Sequence, residues 1–282
     1  MRLRPPVLEA HFLVFGDVIL PYRVTFVLSM FDGSDKNQGI ARRAIGHLLT
    51  GLTAIDVAYL RNHPEAPLLR QSGVQIVDRT DHPLTVLTQS PTHQEDWRDV
   101  GTCLRLGAGH WEDLACWRAA EQIVRSRIPA QPPTKAVETA RVFPHTPELR
   151  VTFVLSMFGP AGDREVADEA LGCMLRALTA VDADYLHAHP EVPLLYQSGV
   201  RYQEEPPGQE DWQDVAACTR LGNGDCEDLA CWRAAELVVR CHVGAAPTFI
   251  SRDRANGGRL FHIQDKYPDG RVEDPSRRLG MR

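Results

Sequence analysis

The sequence predicts an α+β fold in which a cysteine-bearing helix is followed by an antiparallel sheet, preceded by a degenerate tandem copy of its front portion. Three observations predict it: a long internal repeat, strand and helix periodicities that recur in one order within each copy, and a run of short strand-like segments after the second copy alone.

The repeat organises the chain. "RVTFVLSMF" at Arg23 to Phe31 returns at Arg150 to Phe158, "HPEAPLLRQSGV" returns as "HPEVPLLYQSGV", and "QEDWRDV" returns as "QEDWQDV". "LGAGHWEDLACWRAAEQIVR", Leu106 to Arg125, returns as "LGNGDCEDLACWRAAELVVR", Leu221 to Arg240. Thr80 to His93 reads as a loop insertion, because the second copy has only "PPG" between the same landmarks. Pro129 to Pro147, with "PAQPP" and "PHTP", reads as a linker, since its prolines deny it a regular helix or a central strand. The expected division is therefore 1–128 for the degenerate repeat, 129–148 for the linker and 149–282 for the repeat that carries the candidate chemistry.

The elements follow in order. In "MRLRPPVLEAHFLVFGDVIL", Pro5, Pro6, Glu9, His11 and Asp17 interrupt any signal-peptide core, leaving a lead-in and a strand. "RVTFVLSMF" alternates Val24, Phe26, Leu28 and Met30 on one face, the period of a strand, and the first copy's strand could pair with its twin. Leu171, Met174, Leu175, Leu178, Val181 and Tyr185 recur at helical spacing up to His189, where Pro190 forces an extended residue. "CEDLACWRAAELVVR" carries Leu229, Trp232, Ala235 and Val239 on one stripe, with Asp225 and Glu227 at its start, so a second helix has Cys226 in its first turn. "PTFIS", "RLFHIQ" and "GRVED" then read as an antiparallel meander turned by "NGG" and "YPDG". The first copy has no such meander, and Trp111 stands where the second has Cys226, as an apolar plug.

These elements bring chemistry together. A thiol at a helix N-terminus meets unpaired backbone N–H groups and the positive end of the dipole, which lowers a cysteine pKa. Gly222, Asn223 and Gly224 let the chain bend tightly there and bring backbone donors towards a substrate carbonyl. His262 in the second meander strand and Asp274 after the third complete a set of nucleophile, base and orienting carboxylate. Cys231 matches Cys116 in the first copy and is read as core, while Asp225 and Asp228 are read as helix caps.

"GDCEDLA" around Cys226, "LFHI" around His262 and "VEDPS" around Asp274 resemble, in that order, the cysteine, histidine and aspartate boxes of the transglutaminase-like superfamily, whose core is papain-like. Leu194 to Met281 is also similar to uncharacterised transglutaminase-like proteins of phages and bacteria. The resemblance implies acyl transfer or amide or peptide hydrolysis through a thioester, with Cys226 as nucleophile, His262 as base and Asp274 holding the imidazole. It further implies an oxyanion site, for which Gln197, Trp212 and Gly224 are the candidates; Gln71 and Trp97 match the first two in the copy without a thiol, which favours a structural role. The aromatic residue that the family carries after its histidine is replaced here by Ile263.

Composition narrows the rest. A net charge of −6 with no concentrated basic run argues against nucleic acid and anionic membranes, and no apolar run is long enough to cross a bilayer. Seven cysteines without a CxxC pair, and no zinc-ligand spacing, argue for a reducing, cytoplasmic setting with no metal and no cofactor. The expected partner is a protein or peptide substrate. The alternative is a non-catalytic structural or interaction protein, a phage-derived particle component, which would bring homo-oligomer or particle assembly.

Overall fold

The computed structural model describes residues 8–9, 14–15, 18–19, 22–30, 35–77, 92–126, 148–158, 164–206, 209–253 and 259–281. The insertion expected at Thr80 to His93 lies outside these residues up to 91, and the proline-rich linker lies outside them up to 147.

In the first half the elements are β1 (Leu8–Glu9), β2 (Val14–Phe15), β3 (Val18–Ile19), β4 (Tyr22–Leu28), α1 (Asp35–Asn62), β5 (Gln75–Ile76), β6 (Thr92–Arg98), α2 (Val100–Leu106), β7 (Ala108–Gly109) and α3 (Trp111–Ser126). The second half runs β8 (Glu148–Leu155), α4 (Arg164–Ala188), β9 (Arg201–Tyr202), β10 (Asp211–Gln213), α5 (Val215–Leu221), β11 (Asn223–Gly224) and α6 (Cys226–Cys241). It continues into β12 (Ala246–Asp253), β13 (Arg259–Lys266), β14 (Val272–Glu273) and α7 (Pro275–Arg278), which have no counterpart among the described residues of the first half. The fold is α+β, and among the described residues no helix is long and apolar enough to cross a membrane.

The alternation in "RVTFVL" buries Val24, Phe26 and Leu28 in one copy and Val151, Phe153 and Leu155 in the other. These faces meet because β4 and β8 pair antiparallel with Thr25 opposite Thr152. The remaining strands of this sheet are exchanged between the halves. β10 of the second half pairs parallel with β4, and β6 of the first half pairs parallel with β8, giving the order β10-β4-β8-β6. The two repeats therefore share one sheet across a local two-fold axis.

Aromatic contacts follow the same symmetry. Phe26 meets Phe153 edge-on at 4.9 Å and Trp212 edge-on at 5.5 Å, while Trp97 stacks on Phe153 at 6.0 Å. Such pairs add about 0.5–1.5 kcal/mol each beyond the area they bury. The long helices α1 and α4 cover this core, and they cross so closely at Gly51 that a Cβ there would lie 3.0 Å from the Cβ of Ala177.

Buried carboxylates tie the halves together through backbone N–H groups. Asp99 caps α2 by accepting from Thr102 N–H at 2.8 Å and accepts from Ser156 N–H of the other half at 2.9 Å. Asp214 repeats this with Ala217 N–H at 2.7 Å and Ser29 N–H at 3.0 Å. A second sheet holds β12, β13 and β14, joined on the far side of β13 by β1 from the chain's beginning.

Candidate active site

The start of α6 is fixed by backbone chemistry common to both repeats. Gly222 takes a left-handed φ of 76° that ends α5, and Asn223–Gly224 then pairs parallel with Arg201–Tyr202. Asp228 Oδ2 accepts from Asp225 N–H at 3.1 Å while its Oδ1 accepts from Gln213 N–H at 2.7 Å, which pins the helix start to β10. Asp113 makes the same two bonds, from His110 N–H and Arg98 N–H, both at 2.9 Å. Asp228 is therefore scaffold. Cys116 and Cys231 are also scaffold, each fully buried and donating to a carbonyl of a long helix, Leu49 at 3.6 Å and Leu175 at 3.4 Å.

Cys226 is the first residue of α6, as its sequence position implies. Its thiol is only 2% exposed and donates to Glu227 Oε2 at 3.3 Å. Helix-terminal position leads to the expectation of a lowered pKa, and the structure reverses it: burial, reinforced by the negative charge of Glu227, pushes the thiol well above its ordinary value. The N–H of Ile263, directed at the sulfur, acts the other way and is outweighed.

That N–H is free to reach the sulfur because of the sheet's edge. On one side of β13, β1 pairs at Leu260 and Phe261 and β14 pairs at Asp265 and Lys266, and among the described residues no strand faces 262 to 264 there. Cys226 occupies this gap. His262, the neighbour of Ile263, is 1% exposed, and its Nε2 lies 2.9 Å from Asp274 Oδ2.

Asp274 is held from several directions. Gln264 Nε2 donates to Oδ2 at 3.3 Å, Arg277 N–H to Oδ1 at 3.1 Å, and the Arg277 side chain pairs with Oδ2 at 3.1 Å. Burial raises this carboxyl, but the hydrogen bonds led by His262 outweigh it and leave Asp274 below its ordinary value. An ionised Asp274 accepts the Nε2 proton, so Nδ1 is the imidazole nitrogen left with a lone pair.

Two of the expected oxyanion residues, Gln197 and Trp212, fall elsewhere. Gln197 is exposed at the end of a 3₁₀ turn (Leu195–Gln197) whose Leu195 N–H is seated on Glu236, ten residues and about 15 Å along α6 from Cys226. Trp212 is fully buried against Phe26, as Trp97 is against Phe153. Gly224 serves close packing, since a Cβ would lie 3.1 Å from both Cys218 Sγ and the Asp228 Cβ. In the first repeat Trp111 begins α3 and packs half-buried on the main core.

Sequence reasoning missed an acidic cluster around the thiol, formed by Glu205, Glu210, Asp225, Glu227 and Asp228. Tyr22 of the first half reaches it, with its hydroxyl hydrogen-bonded to Glu210. The available signal lay in the repeat itself, because Arg79 stands in the place of Glu205 and His110 in that of Asp225. No protein family, curated protein or solved structure matches this chain.

Proposed function

We propose that the chain is a cysteine-dependent enzyme of transglutaminase-like, papain-like type that acts on an amide or peptide carbonyl through Cys226, His262 and Asp274. The observation that carries this reading is the His262–Asp274 pair at 2.9 Å, its imidazole buried, on the strand segment whose next N–H meets the sulfur of a helix-initial cysteine.

In this mechanism His262 Nδ1 takes the thiol proton while Asp274 keeps the proton on Nε2. The thiolate attacks the carbonyl carbon, and the oxyanion that forms is met by helix-terminal N–H groups, that of Cys226 among them. The imidazolium returns its proton to the departing amine, leaving a thioester. Water gives hydrolysis and a second amine gives transfer, and each regenerates the thiol. Because the thiol is 2% exposed, substrate reaches it only when its cover opens.

The burial and neutrality of the Cys226 thiol favour a second reading, a non-catalytic structural or particle protein that keeps the same fold. Alkylation separates the two, because Cys241 is an exposed thiol in the same chain. With limiting iodoacetamide at pH 7.5 and mass-spectrometric mapping, the enzyme reading expects Cys226 to react faster than Cys241 and to lose that lead in His262→Ala. Modification of Cys241 alone, unchanged by His262→Ala, would support the structural reading.

A further inference from the structure

Around Glu227 lies a set of side chains that acyl transfer does not use. One oxygen from each of Glu205, Glu210 and Glu227 falls within 4.8 Å of the others, and the same holds among Asp225, Glu227 and Asp228. Two of these carboxylates are satisfied, Glu205 by Asp211 N–H at 2.8 and 3.0 Å and Asp228 by Gln213 and Asp225 N–H. Two others are not. Glu210 Oε2 and Glu227 Oε1 are buried without a hydrogen-bond partner, in side chains at least nine-tenths covered.

Buried carboxylates without donors are strongly disfavoured, and here each sits among others of the same sign. Glu227 links the two groups, its oxygens lying close to those of Glu205 and Glu210 on one side and of Asp225 and Asp228 on the other. The fold does not require this arrangement. At the matching place beside α3, Glu95 and Glu112 are kept, but His110 stands for Asp225 and Leu149 of the second half for Tyr22, and Arg79 matches Glu205 in the sequence.

We propose that Glu205, Glu210 and Glu227 bind a hard divalent cation beside the thiol, with Asp225 lying against Glu227 at the edge of the site. All the ligands are oxygens, which suits Ca²⁺ and Mn²⁺ and not the softer metals. Oxygens about 2.3–2.6 Å from one ion lie at most about 5 Å apart, so a mutual spacing within 4.8 Å suits a shared ion. Access is available, since Glu205 also lines a surface cavity of about 390 Å³ with Gln203 and Gln213. The expectation of no metal rests on histidine and cysteine spacing and does not bear on an all-carboxylate set.

The test is calorimetric titration of the full chain with CaCl₂, with free Mn²⁺ followed by electron paramagnetic resonance. The parent is expected to bind one equivalent, with affinity at least tenfold weaker in Glu210→Gln and in Asp225→His. Asp225→His installs the side chain that the first repeat carries at this place, and circular dichroism melting checks that each variant is folded. Cys226→Ala is expected to bind as the parent does, which separates this inference from the thiol chemistry. It is overturned by the absence of saturable binding up to about 5 mM, beyond the weakest protein Ca²⁺ sites, or by folded variants that bind as tightly as the parent.

Discussion

Thr25 Oγ1 and Thr152 Oγ1 lie 3.0 Å apart, and they are the same residue of the repeat, 127 positions apart. The local two-fold axis passes between them. One hydroxyl donates and its twin accepts, so a symmetric pair of residues makes an asymmetric bond. Either Thr25→Val or Thr152→Val leaves a part-buried hydroxyl without its partner and is expected to cost about 1 kcal/mol, while the double substitution costs less than the sum. Urea denaturation of the four proteins measures the coupling, and strictly additive costs would contradict it.

The axis also passes between Gly51 and Ala177, where the helices nearly touch. Gly51→Ala would place two methyl groups 3.0 Å apart. The overpacking is expected to destabilise by about 1–3 kcal/mol, despite alanine's better helix propensity. A raised melting temperature would show that α1 and α4 can separate freely.

Stability should respond to the buried carboxyls. Burial pushes Asp214 up to about 7, against the opposing N–H bonds of Ala217 and Ser29. The folded chain then keeps a proton that the unfolded chain releases near pH 3.9, so this contribution is full at low pH and is lost between about pH 4 and 7. The stability of the parent relative to Asp214→Asn is expected to fall across that window and level off above it. A difference independent of pH would remove the effect.

Asp274→Ala unties the His262 imidazole while leaving Cys226 and His262 in place. The alkylation rate of Cys226 is expected to fall about tenfold or more, with Cys241 unaffected. Asp274→Asn is expected to fall as well, because an amide can donate to Nε2 and favour the wrong tautomer. Equal rates in all three proteins would mean that Asp274 only caps α7.

Much of this was legible in the residues. The repeat, its strand and helix periods, the meander and the helix-initial place of Cys226 follow from local pattern, which also put Val24, Phe26 and Leu28 on the buried face. The exchange of β6 and β10 was not legible, because "QEDW" has the same pattern whichever "RVTFVL" strand it joins. Nor was the raised thiol pKa, since helix position is local while burial comes from Glu227, the gap in the sheet and everything packed above them. Asp225 reads as a helix cap and no sequence motif singles out Glu205, and only tertiary structure brings both beside Glu227.

The exchanged strands also govern how the chain is made. β4 pairs with β8 and β10, and β6 pairs with β8, so among the described residues neither long strand of the first half has a partner in its own half. During synthesis both leave the ribosome with open edges, and the sheet closes only once β10 has followed. Nascent chains halted before β8 should therefore be held by chaperones or aggregate, and the repeat without a thiol cannot be lost without unravelling the one that has it.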